Sequence, residues 1–106
     1  MSDLPSVIQE IVAERRRQID QEEWTTEHDD AHDNQELAYA AGCYAAPIWR
    51  DLEHRESGTP PIGWPFAGSW WKPKERRRDL VRAAALLVAE IERLDRRAIE
   101  TGGTLR

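Results

Sequence analysis

A chain of 106 residues with 33% charged side chains and a mean hydropathy of −0.75 holds a single domain with a modest apolar supply. A domain of this size buries roughly 60–70% of its unfolded surface, and one this lean is expected to complete its core by self-association. A net charge of −5 argues against non-specific nucleic-acid binding, which needs basic surface to neutralise phosphates, yet leaves open a nucleotide substrate whose phosphates are bridged by Mg2+.

The first helix is predicted over residues 5–20. Pro5 is tolerated in a first turn, and Ser6 followed by Gln9 fits a capping box. Val7, Ile8, Ile11, Val12 and Ile19 form its apolar stripe, while Glu10, Glu14 and Gln18 line another face at four-residue spacing. Arg15, Arg16 and Arg17 read as a solvated face with local Glu partners. Asp3, Glu10 and Glu14 among scattered apolar residues do not make a signal peptide.

A second helix is predicted over 26–46, capped by Thr25 or Thr26 and opened by acidic residues that suit the helix dipole. Leu37, Ala40, Ala41 and Tyr44 supply a buried face small enough for close packing. The helix ends near Pro47 or restarts as a short helix over 48–55. The lone Cys43 excludes an intrachain disulfide and fits a reducing cytoplasm.

Residues 56–73 carry four of the six prolines and three of the five tryptophans, so no regular element is expected there. Trp64, Phe66, Trp70 and Trp71 are too apolar to stay solvated, which predicts an ordered lid or wall over the helices. The last helix is predicted over 75–100. Leu80, Ala84, Leu87, Ile91 and Leu94 follow alternating four-three spacing, and Val81 and Val88 widen the stripe. The run Ala83–Ala89 is apolar nearly all round, so several sides should be covered, some of them by a second subunit. That run is far short of the ~20 residues of a membrane span. The expectation is a soluble cytoplasmic protein with an all-α fold: a small bundle of three main helices plus the Trp/Pro-rich loop.

Carboxylates gather in two places. Asp29, His32 or Asp33, and Glu36 recur at three- or four-residue intervals and share a helical face, as do Glu75 and Asp79. Antiparallel packing of the two helices would bring Glu36 and Asp79 within reach of one ion. Mg2+ takes one or two carboxylates with water and phosphate oxygens. The competing explanations are structural: Asp29 and Asp30 also complement the helix dipole, and Asp79 also neighbours Arg76–Arg78 as a salt-bridge partner. Glu90 lies about 16 Å further along the axis at ~1.5 Å per residue, which excludes it from an ion on Asp79 and places it on the surface.

This pattern resembles the MazG-like, all-α nucleotide pyrophosphohydrolase superfamily, which carries an E-x-x-E pair followed by E-L-A on one helix and an E-x-x-D pair on a later one. The first pair falls on Asp33 and Glu36 in DNQELAYAA, and the second ends at Asp79 in RRRDLV. The upstream WTTEH (24–28) is similar to the Trp-and-His segment of some members. The likeness spans about residues 7–97 and rests on short motifs. Asp33 stands where the family has Glu, and Arg76 stands where the second pair has its first acid, leaving Glu75 as a shifted substitute. The Trp-rich insert resembles small phage and prophage members.

The resemblance implies hydrolysis of a (deoxy)nucleoside triphosphate to the monophosphate and pyrophosphate with Mg2+, or Mn2+, as cofactor, in a homodimer or homotetramer. Glu36 and Asp79 would hold the metal together with Asp33 and Glu75, and His32 or Asp29 would position the water. Lys72, Lys74 and Arg77 would contact phosphates. Trp24, Trp64, Trp70 and Trp71 are candidates to stack on the base, and Glu14 and Gln18 to read its edges. Two rivals remain open. His28-Asp29 and His32-Asp33 mimic the dyad of HD phosphohydrolases, although that fold needs more helices. The non-catalytic alternative is a helical adaptor that binds a protein through its Trp-rich segment. No nucleic-acid or membrane partner is expected.

Overall fold

In the computed structural model, which describes residues 4–22, 26–31, 35–46, 60–61 and 63–100, all regular structure is helical. The order is α1 (Leu4–Gln21), α2 (Thr26–Asp30), α3 (Glu36–Ala45), a 3-10 turn (Gly68–Trp70) and α4 (Arg76–Glu100). No strand occurs among the described residues, and the chain has the expected all-α architecture with three main helices. No described helix is long and apolar enough to cross a membrane.

The helix expected over 26–46 is two helices. Gln35 precedes α3 with φ 67° and ψ 21°, a left-handed conformation that an α-helix of L-residues does not pass through. Residues 32–34 and the possible helix over 48–55 lie outside the described residues. Ser6, expected as a cap, sits inside α1.

Helix α4 is the axis on which α1, α2 and α3 pack. Helix α1 runs parallel to it: Glu10 accepts two 2.7 Å hydrogen bonds from Arg77, and further along Arg15 donates to Glu92 at 3.1 Å. Helix α3 runs antiparallel. Its last residue, Ala45, offers its carbonyl to Arg76 at the start of α4, while Gln35, just before its first turn, lines a cavity with Glu90 and Arg93. Asp30 accepts from Arg96 at 2.8 Å and pins α2 to the far end of α4.

The core forms where α3 meets α4. Leu37, Ala40, Ala41 and Tyr44 pack with Ala83, Leu86 and Ala89, closed by Trp71. Among the described residues, five of the ten buried apolar ones are alanines; they let the helix axes approach closely but contribute little apolar volume. Aromatic residues of the irregular segment supply the rest. Trp71 stacks on Tyr44 with ring centroids 4.7 Å apart, and Trp64 meets Trp71 edge-on at 5.0 Å. Trp64, Phe66 and Trp70 are partly buried against the same core. The Tyr44 hydroxyl fastens this wall, donating to the Trp70 carbonyl at 3.4 Å and accepting the Lys72 N–H at 3.0 Å.

Two stripes face the opposite way from the expectation. The inner face of α4 is Val81, Ala85, Leu86 and Ala89, whereas Leu80, Leu87, Ile91 and Leu94 point outward. On α1 the buried positions are Glu14, Arg15 and Gln18, with Ile8 and Val12 exposed. Arg15 is therefore not part of a solvated face. The close approach of the alanine-lined face of α4 to α3 sets its rotation, and α1 then meets α4 through its polar face.

Candidate functional site

The polar interface of α1 and α4 forms one pole of the molecule. Its centre is Glu14, whose side chain is fully sealed from solvent. Arg17 grips both its oxygens at 2.9 and 2.8 Å, Gln18 donates to it at 3.2 Å, and Arg78 approaches from α4. Burial pushes the Glu14 carboxyl up, and Arg17, Arg78 and Arg82 outweigh that effect, so its pKa lies below the ordinary value. The carboxylate stays charged because hydrogen bonds and nearby positive charge favour the ionised form.

One turn beyond Gln18, buried Glu22 receives Lys72 Nζ at 2.8 Å and lies 3.6 Å from Arg17. Arg82 reaches from α4 to sit 5.7 Å from the centre of the Tyr44 ring. Burial raises the Tyr44 pKa, so that hydroxyl remains protonated and able to donate. Asp79 lies on α4 between Arg78 and Arg82. It is fully buried and accepts the Lys74 backbone N–H at 2.7 Å.

Two sealed atoms of this pole, Gln18 Oε1 and Arg82 Nε, have no hydrogen-bond partner. One is an acceptor and the other a donor. Buried polar atoms are normally satisfied, so such orphans mark a place for water, an ion or a ligand.

The pole gathers Glu14, Gln18, Lys72, Lys74 and Asp79, five of the residues singled out from the sequence. Trp70 borders it through the carbonyl that Tyr44 engages. Arg77 is tied to Glu10 on the exposed side of α1. Trp64 and Trp71 are held by other aromatic rings of the core wall, with Trp71 buried and Trp64 half-buried. Trp24, His32 and Asp33 lie outside the described residues.

The proposed convergence of Glu36 and Asp79 is not formed. Because α3 is antiparallel to α4, Glu36 at its start sits level with Glu90, while Asp79 lies at the Ala45 end. The eleven residues from Asp79 to Glu90 span about 16 Å of helix, too far for two carboxylates to share an ion. Glu75 is exposed, whereas Asp79 is buried, so that pair does not converge either. Among the described residues no three His, Cys, Asp or Glu side chains form a metal-ligand group. Asp79 is fully sealed and already accepts a backbone N–H, so it does not by itself offer Mg2+ an open coordination position.

Glu90 is not a surface residue. It is buried and paired with Arg93 at 2.8 Å, beside a 540 Å3 cavity lined also by Gln35, Leu94 and Arg97. Asp29, a candidate for positioning water, is fully buried against Arg15.

Reading the sequence missed Arg17, Glu22, Tyr44, Arg78 and Arg82 as members of the pole. A signal was present. The four-residue cadence of Glu10, Glu14 and Gln18 continues to Glu22, and Arg78 to Arg82 repeats the step on α4.

The chain matches no family model, no curated protein and no solved structure.

Proposed function

We propose that this protein hydrolyses a (deoxy)nucleoside triphosphate to the monophosphate and pyrophosphate, with the α1–α4 pole as the phosphate-binding region. The observation that carries the reading is the pair of sealed, orphaned atoms, Gln18 Oε1 and Arg82 Nε, on the two helices that also bring Arg17 and Arg78 to Glu14. These cations already rest on internal carboxylates, and an incoming polyphosphate would compete with Glu14 and Glu22 for them. Charge-assisted hydrogen bonds from preplaced guanidinium groups are suited to spreading phosphate charge. Gln18, with an amide at the same place, is suited to reading a polar edge of the substrate. Mg2+ arriving with the nucleotide would neutralise phosphate charge and lower the pKa of an attacking water.

Glu36 has no part in this version of the site. The alternative is a helical adaptor that binds a protein through its Trp-rich segment, of which Trp71 is buried and Trp64, Phe66 and Trp70 are partly buried against the core. The test is pyrophosphate release from a panel of ribo- and deoxyribonucleoside triphosphates with and without Mg2+. Mg2+-dependent turnover by the wild-type chain, abolished in Arg82→Met and retained in Glu36→Gln, supports the reading. Absence of turnover across the panel, or equal loss in both variants, overturns it.

A further inference from the structure

We infer that the cavity between the start of α3 and the second half of α4 binds a small organic carboxylate. Among the described residues it is lined by Gln35, Glu90, Arg93, Leu94 and Arg97, and it encloses 540 Å3. Small-molecule sites measure roughly 300–1,000 Å3, so the space suits an organic ligand rather than a lone ion. Positions 90, 93, 94 and 97 fall at three- and four-residue spacings and share one face of α4. That face therefore offers the cavity a carboxylate, two guanidinium groups and an apolar side chain.

Three features select a carboxylate with an apolar body. The first is the fixed orientation of Arg93, which is only 5% exposed. Glu90 accepts from its Nε at 2.8 Å and from its Nη2 at 3.0 Å. Two contacts hold the guanidinium plane before any ligand arrives, and a group already in place loses little freedom on binding. Glu90 is thus a positioning residue, and it balances the charge of Arg93.

The second is the charge left over. Arg97 is exposed and has no ion-pair partner among the described residues. With Arg93 and Arg97 set against Glu90, the described lining carries one surplus positive charge, although the whole chain stands at −5. A single surplus charge matches a monoanion, and a guanidinium fork matches the planar carboxylate group bidentately. Leu94, 48% exposed, supplies contact for the apolar body.

The third is Gln35. Its backbone is left-handed, and its side chain does not cap α3. Glycine enters that region freely, and other residues do so at a cost. Such conformations gather at ligand sites, and here the cost sets a primary amide at the cavity. The inference is independent of the hydrolase reading, since none of these residues belongs to the polar pole.

Isothermal titration calorimetry of the full chain with benzoate tests this, with benzyl alcohol as the uncharged counterpart and phenyl phosphate as the dianionic one. Benzoate is expected to saturate one site per chain and to bind more tightly than either. Arg97→Met should weaken benzoate about ten- to a hundredfold, the loss of a charge-assisted bond. Its helical circular dichroism should be retained, because that side chain is exposed. Gln35→Gly should also bind more weakly while its urea midpoint rises, since glycine accepts the left-handed backbone. Arg77→Met, an arginine paired with Glu10 elsewhere on α4, should bind as the wild type does. No saturable binding of benzoate, or benzyl alcohol bound as tightly, overturns the inference. So does tighter binding of phenyl phosphate, equal weakening in Arg77→Met and Arg97→Met, or unaltered binding in both Arg97→Met and Gln35→Gly.

Discussion

Arg15 and Asp29 meet at 2.7 Å with both side chains almost withdrawn from water, and Arg15 extends at the same time to Glu92. The pair ties α1 to α2, and through Glu92 to α4. A desolvated ion pair adds little net stability as a pair, but removing one member leaves the other's burial poorly compensated, at about 3–5 kcal/mol. Arg15→Met is therefore expected to lower unfolding stability by about that amount in urea titration. Arg77→Met also deletes two short hydrogen bonds, to Glu10, yet that pair is solvated and its loss should leave the urea midpoint close to the wild-type value.

Glu14 makes the fold sensitive to acid. Burial raises its pKa, but Arg17, Arg78 and Arg82 bring it below the ordinary 4.5. A carboxylate whose pKa is depressed by folding contributes stability that is fully present above the unfolded pKa and is lost as pH falls through the folded value. The urea midpoint should thus be flat above about pH 5 for this group and decline below 4.5. Glu14→Gln should lower the midpoint at neutral pH and make the acid slope shallower. An unchanged slope would show that Glu14 is not the titrating group.

The hydroxyl of Tyr44 joins α3 to the segment before α4 by two hydrogen bonds. Tyr44→Phe keeps the ring stack on Trp71 and removes those bonds together with the hydroxyl's interaction with Arg82. The expected loss is roughly 1–3 kcal/mol, the range for a buried polar group deprived of its partner. A reduced near-ultraviolet dichroism of the tryptophans with unchanged helical signal would place the effect in the aromatic wall.

Much of the secondary structure was legible from residues alone. The last helix ran where its apolar repeat and the preceding Pro73 put it, and Leu37, Ala40, Ala41 and Tyr44 were recognised as a buried face. The aromatic content of the irregular segment correctly implied a wall packed on the helices. The break at Gln35 was invisible, because a glutamine carries no local demand for a left-handed backbone. The pole was half visible: Glu14 and Gln18 stood out by spacing, while Arg17 read as part of a solvated face and nothing singled out Arg82.

Composition and periodicity by themselves determined that this protein is all-α, where its main helices run, and that its apolar supply is small for a self-contained core. They could not decide which face of α1 or α4 turns inward, because both helices carry an apolar stripe and a polar stripe. Packing settled it: the alanines of α4 admit α3 at close range, and that contact rotates the leucine stripe outward and brings the polar face of α1 onto the arginines of α4. The relative direction of α3 and α4 was also a tertiary matter. It set Glu36 beside Glu90 and left Asp79 among cations at the other end, a separation of helix length that no motif spacing encodes.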